Sequence, residues 1–206
     1  MRLKERHHAA MHTPPAEGSR RTLLFSGHMI DALDRPQPRF PPQQEGTARQ
    51  ALAQLLQALD AGPQDRAVSS AACGGDLLFA EAAAARGVLT EIYLPFPPEA
   101  FIGTSVAFAG GDWPARFAAV CAYSAVHVMP LERPPLADGE DAYAQTNLWM
   151  LEAASRDGSE RVEFICLWDG QGGDGPGGTH HLSRLVPERQ GRTHWLDTRR
   201  LFGVAP

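Results

Sequence analysis

Cysteine is scarce in this chain, and what there is forms no pattern. The three cysteines, Cys73, Cys121 and Cys166, lie far apart and make no CxxC pair. That argues against a disulfide framework and for a reducing, cytoplasmic setting. Long hydrophobic runs are missing as well. No apolar stretch approaches the ~20 residues that cross a bilayer. The charged start, Met1-Arg2-Leu3-Lys4-Glu5-Arg6, leads into no apolar segment, so no secretory signal is read. Positive charge is not in excess. The formal net charge of −5 offers no general attraction to nucleic acid or to an acidic membrane, and neither is expected as a partner. Also absent are a Walker A motif, a G-x-S-x-G nucleophile elbow, a complete G-x-G-x-x-G and any internal repeat.

What is present is the pattern of an α/β domain. With 206 residues and 43% hydrophobic composition, the chain can bury one sizeable core. Residues 21–206 read as a single domain, and residues 1–20 read as a disordered or linker segment. The 17 prolines and 20 glycines fall between elements. Strands are expected at residues 22–26, 67–71, 91–94, 125–129, 162–168 and 193–196. Helical spacing appears at 45–59, 77–86, 115–123, 142–154 and from 179 to just before Gly191. Gly62-Pro63 ends the first helix, Gly87 caps the second, Pro114 opens the third and Asp141 caps the fourth. Strands that read as near-continuous apolar runs, alternating with helices, imply a doubly wound, mainly parallel, Rossmann-like sheet of about six strands with helices on both faces.

Three strands run into glycine-containing loops that open helices. These are Ser26-Gly27-His28, Cys73-Gly74-Gly75-Asp76, and the stretch from Gly170 to Pro176-Gly177-Gly178-Thr179. Such loops place backbone N–H groups at the carboxyl end of a strand, where phosphate-bearing ligands bind in open α/β sheets. Gly27, Gly74, Gly75, Gly177 and Gly178 are therefore candidate ligand contacts; the alternative is that glycine serves only helix-on-strand packing. Thr179 suits an N-cap or a hydroxyl contact to phosphate. His28 could donate to a phosphate or act near neutral pH, or be an ordinary hydrogen-bonded side chain.

Asp76 could cap its own helix or accept from a ribose hydroxyl, since a carboxylate repels phosphate. Cys73 counts as a ligand-loop residue; a helix N-terminus lowers a thiol pKa, yet no base accompanies it. Arg35 and Arg39 sit in the proline-rich stretch 34–42, which could hold their guanidiniums over a phosphate. Tyr143 and Asn147 are four apart and share a helix face; Asn147 could recognise a base or ribose, and Tyr143 suits packing. His180 and His181 are adjacent, so on a helix they point about 100° apart, and no metal site is expected.

Several of these residues resemble a known family. Ser26-Gly27-His28, Cys73-Gly74-Gly75-Asp76 with its alanine-rich helix, and the apolar fourth strand are similar to the SLOG superfamily. This is the Rossmann-like group that includes the lonely-guy phosphoribohydrolases and the DNA-processing protein DprA. Pro38-Arg39-Phe40-Pro41, Leu94-Pro95-Phe96-Pro97, Phe101, Ser105-Val106, Trp113 and Arg116-Phe117 resemble a poorly characterised branch. The resemblance implies nucleotide binding at the strand ends, and homo-oligomers or fusion to signalling modules as partners. The lonely-guy enzymes carry P-G-G-x-G-T-x-x-E after the fourth strand. Here that strand ends in Met129-Pro130-Leu131-Glu132, and Pro176-Gly177-Gly178-Thr179 comes one strand later with Leu182 where the Glu would stand.

Two functions are therefore carried forward. The first is a sensor or signalling domain that binds a nucleotide, NAD or an ADP-ribose-like molecule and requires no further cofactor. The second is an enzyme cleaving the N-glycosidic bond of such a molecule, with Asp76 or Glu81 as the carboxylate and Asp31 as a further candidate. In a third reading the glycine loops serve only the fold of an interaction module.

Overall fold

The computed structural model describes residues 21–172 and 178–203. Residues 1–20, expected to be disordered, and the candidate Gly177 lie outside the described residues. Six strands form one sheet: β1 (Thr22–Gly27), β2 (Arg66–Ser69), β3 (Leu89–Leu94), β4 (Ala125–Val128), β5 (Val162–Trp168) and β6 (Arg192–Asp197). Their order is β4-β3-β2-β1-β5-β6, and every ladder is parallel. The helices are α1 (Glu45–Ala58), α2 (Gly75–Ala84), α3 (Pro98–Ser105), α4 (Trp113–Tyr123), α5 (Met129–Glu132), α6 (Ala142–Ala154), α7 (Thr179–Glu188) and α8 (Thr198–Leu201).

Side chains alternate between the sheet faces, and each face has its own core. Leu23, Phe25, Ala67, Ile92 and Leu167 share one with Leu52 of α1, Phe79 of α2 and Phe117 of α4. Leu24, Val68, Tyr93, Phe164 and Cys166 share the other with Trp149 and Met150 of α6 and Leu182 of α7. The sheet is thus doubly wound, of the Rossmann-like α/β class. β5 is buried along its whole length, which is why its sequence is an unbroken apolar run. β4 lies at a sheet edge and is buried only at Val128, so its apolar run does not mark a strand covered on both faces.

Strand order runs outward from β1 in both directions: through β2, β3 and β4 on one side, and through β5 and β6 on the other. The direction in which successive strands are added therefore reverses between β1 and β5. At such a switch point the loops diverge, and a crevice opens at the carboxyl ends of the strands. Three short helices lie beyond the expected set: α3, α5 and α8. α3 begins with Pro98 in its first turn, as proline at a helix start permits. α8 is a single short turn following β6.

Candidate functional site

A cleft of about 280 Å³ occupies this crevice. β1 contributes Ser26 and Gly27, the β2–α2 connection contributes Ser70, Ala72 and Asp76, and α3 contributes Phe101 and Ser105. α6 closes one side with Asp141, Tyr143, Thr146 and Asn147, and Gly178 and Thr179 at the start of α7 complete the rim. Ser26 and Thr179 hydroxyls lie 2.9 Å apart and tie the end of β1 to the first turn of α7. The structure thus brings Gly27, Asp76, Asn147, Gly178 and Thr179 to one cleft.

Asp76 is the chemically distinctive group. It sits in the first turn of α2, whose N-cap is Gly74. Its Oδ2 does not cap that helix; it accepts the Ala72 N–H at 3.2 Å, from the loop before the helix. The residue is only 8% exposed, and burial pushes its carboxyl up to about 7, with the Ala72 hydrogen bond opposing. A carboxyl with that pKa is populated in both protonation states near neutrality and can donate as well as accept.

The remaining candidates are placed elsewhere. The first two glycine turns pack on each other. Met29 and Gly74 form an isolated bridge, with Ile30 N–H donating to Cys73 O at 3.1 Å and Gly75 N–H donating to His28 O at 3.0 Å. The His28 N–H is taken by Leu167 O and the Cys73 N–H by Ser105 O, each at 2.9 Å. A Cβ on Gly74, which has φ +101°, would lie 2.6 Å from Ile30 N. Glycine is needed there because two backbones approach closely. Gly74 and Gly75 do not line the cleft. Gly27 reaches the cleft, yet its own Cβ would meet Phe25 at 2.9 Å and Leu167 O at 3.0 Å.

Cys73 is fully buried, and burial pushes its thiol up to about 12, the reverse of activation at a helix N-terminus. His28 is buried beside Asp169, and its Nε2 accepts the Asp169 N–H at 3.1 Å. Burial, assisted by Arg39, lowers its pKa against the pull of Asp169. It is held in the fold as an acceptor through Nε2 and does not line the cleft. Glu81 lies outside the cleft. Arg116 clasps it with two bonds of 2.6 and 2.7 Å, and Arg49 adds a third at 3.0 Å, joining α2 to α4 and α1. Arg39 lines a different recess, together with Arg35. Asp31 serves the proline-rich loop: its Oδ2 accepts the N–H groups of Arg39 and Phe40, both at 2.8 Å.

Tyr143, read from sequence as a packing residue, has a polar role that spacing did not reveal. Its hydroxyl is 3.0 Å from Ser105 Oγ and 3.1 Å from Thr104 Oγ1, bridging α6 to α3 across the cleft mouth. Its ring meets Phe96 edge-on at 5.6 Å. Asp141 caps α6 by accepting the Ala144 N–H at 2.7 Å and also faces the cleft. Ser70 and Thr146 carried no signal beyond their place at the end of β2 and on α6.

The electrostatics are one-sided. Two carboxylates, Asp76 and Asp141, line the cleft, and no Arg, Lys or His does so among the described residues. Among the described residues, too, no three His, Cys, Asp or Glu side chains gather as a metal site, and no helix is long and apolar enough to cross a membrane.

No family model matches the chain, and no curated protein matches it. Solved structures do. One is the DNA processing protein A of Helicobacter pylori, described for its single-stranded DNA binding mode; it is 14% identical over 90% of this chain and 80% of that one, with a TM-score of 0.31. Another is the Moco carrier protein of Chlamydomonas reinhardtii, 11% identical over 90% of this chain and 99% of that one, with a TM-score of 0.36. The first belongs to the DprA group that the sequence resembles. At such TM-scores neither protein lends this chain a residue role or an activity, and neither description speaks of signalling. The expectation that net charge leaves no nucleic-acid partner is corrected. A protein of similar structure is described as binding single-stranded DNA, and net charge is a sum over the whole surface that leaves local patches open.

Proposed function

We propose that the cleft binds a nucleoside-type small molecule, a nucleotide or nucleotide derivative, with its ribose hydroxyls against Asp76. The observation that carries this reading is the pairing of a buried carboxyl near pKa 7 with a wall of hydroxyl and amide groups, in a switch-point crevice free of basic side chains among the described residues. Ser26, Ser70, Ser105, Thr146, Thr179 and Asn147 offer short polar groups suited to sugar and base edges. Two carboxylates repel a polyphosphate. A phosphate would meet the first turn of α7, at Gly178 and Thr179, where the helix dipole favours it.

Calorimetry against nucleosides, nucleotides, NAD and ADP-ribose tests this reading. Saturable binding is expected for at least one of them, weakened at least tenfold in Asp76→Asn or Thr179→Val. No binding by any of these at about 1 mM, the weakest affinity worth the name for a small ligand, would sink it.

One observation favours a catalytic second reading. Burial pushes the Asp76 carboxyl up to about 7, and a carboxyl in that range matches general acid–base work at neutral pH. In that role it would protonate the departing base or deprotonate the water attacking the ribosyl carbon. Release of free base, lost in Asp76→Asn and retained in Glu81→Gln, is the expected result. An unchanged ligand pool after prolonged incubation leaves binding alone.

A further inference from the structure

Arg35 and Arg39, from the proline-rich stretch between β1 and α1, do not face the cleft. They meet Arg199, from the start of α8, around a separate recess of about 270 Å³. Asp169, Thr198 and Phe202 form the rest of the wall that matters here.

The recess is a built feature. Phe40 is fully buried and stacks on Phe202 at 5.3 Å, which fastens the proline-rich loop to the α8 corner. Asp31 N–H donates to Phe40 O at 2.9 Å, and the Asp31 carboxylate accepts the Arg39 and Phe40 N–H groups. Loop and corner are thereby held in register, so Arg35, Arg39 and Arg199 line one recess, with Arg35 Nε donating to Gln37 O at 3.1 Å.

Carboxylates are also near: Asp31 lies 3.4 Å from Arg35 and Asp197 lies 3.6 Å from Arg199. Each of these, and Asp169, already accepts a backbone N–H. Asp197 Oδ1 takes that of Arg199 and Asp169 Oδ1 that of Gln171, both at 3.0 Å. Their charge is partly spent on the loops they hold. A second observation is independent of this charge pattern. Thr198 is 1% exposed, and its Oγ1, like Arg199 Nε, is buried with no hydrogen-bond partner among the described residues. Buried polar groups left in that state are uncommon and mark a missing partner.

We propose that this recess is a second ligand site, taking a compact oxyanion: the phosphate or carboxylate group of a small molecule. Planar guanidiniums pair with such groups through two parallel N–H···O bonds. The Thr198 hydroxyl, beside Arg199, supplies a further donor as the ligand settles. The site does not depend on what fills the cleft.

The test titrates the full chain by calorimetry with inorganic phosphate and, separately, with succinate. Saturable binding is expected for at least one, and which one binds separates a phosphate source from a carboxylate source. Arg199→Gln should weaken it about tenfold, the scale of one lost charge-assisted contact. Thr179→Val, in the cleft, should leave it unchanged. Should Arg199→Gln melt early, Arg35→Gln on the loop provides the second variant and the same expected loss. No saturable binding by either anion, or binding that survives both arginine variants, or binding lost in Thr179→Val, would overturn the proposal.

Discussion

The cleft and the recess both take a wall from the stretch between β1 and α1, yet their linings carry opposite charge. Gly27 and Met29 contribute to a cleft whose charged side chains, among the described residues, are Asp76 and Asp141. A few residues later Arg35 and Arg39 contribute to a recess that also holds Arg199. Between them His28 donates its backbone N–H to Leu167 O of β5, accepts the Gly75 N–H with its carbonyl and accepts the Asp169 N–H with its ring. A single polyphosphate site would pool cations and helix N-termini in one place. Here the hydroxyl-rich, carboxyl-bearing surface and the guanidiniums are kept apart. The contrast favours the ribose and base of a nucleoside-type ligand in one depression and an oxyanion in the other.

The largest effect expected from breaking this contrast is at Asp76. Its carboxyl is raised from 3.8 to about 7, so between those values the folded chain holds a proton that the unfolded chain has released. Stability therefore falls as pH rises through that window and is level above it. At 1.36 kcal/mol per unit the loss is roughly 4 kcal/mol. Asp76→Asn keeps an oxygen for the Ala72 N–H and removes the titration. Urea denaturation at a series of pH values from 4 to 8 should show the variant gaining on the parent as pH rises. Parallel curves would mean that Asp76 is not a buried, near-neutral carboxyl.

Next is Gly74→Ala. The left-handed backbone and the 2.6 Å approach to Ile30 N predict a loss of roughly 3 kcal/mol. The bridge it breaks carries the 28–30 segment, so affinity at both depressions should fall together. Gly103→Ala is the control. Its Cβ meets nothing within 4 Å, and in the interior of α3 alanine should stabilise by up to about 1 kcal/mol. A Gly74→Ala protein as stable as the parent would return that glycine to the role of ligand contact.

Glu81→Gln comes third. Loss of the clasp on Arg116 is expected to cost about 1–3 kcal/mol and to leave cleft affinity unchanged, since Glu81 does not line the cleft. A fall in affinity without loss of stability would put Glu81 back among the candidate catalytic residues.

These cases show what could be read from the chain. The bounds of β5 and α6 were legible because one is a continuous apolar run and the other opens on an Asp141 cap. Asp76 and Thr179 were legible as strand-end residues because glycine marks where buried strands stop. α3 was not, since Pro97, Pro98 and Gly103 disguise a short helix. The partners were not legible either. Glu81 meets Arg116 across 35 residues, Gly74 meets Ile30, and Ser105 meets Tyr143 across 38. Each pair depends on which loops the parallel topology sets side by side, and local spacing carries no record of that.

The smallest effect is at His28, the residue between the two depressions. Its pKa is lowered, chiefly by burial, so the unfolded chain takes up a proton before the folded one as pH falls below the ordinary value of 6.5. The stability that the neutral ring contributes is complete above that value and is lost as pH falls from it toward the lowered one. His28→Gln retains an acceptor for the Asp169 N–H and removes the titration, so below pH 6.5 the parent should lose stability relative to the variant while the two run level above it. The direction is opposite to that at Asp76. Acid therefore strengthens the fold at the cleft carboxyl and weakens it at the partition, and the two variants together should separate these slopes in a single pH series. If His28→Gln tracks the parent through acid, the ring is not held as a neutral acceptor, and the wall between cleft and recess is looser than its hydrogen bonds imply.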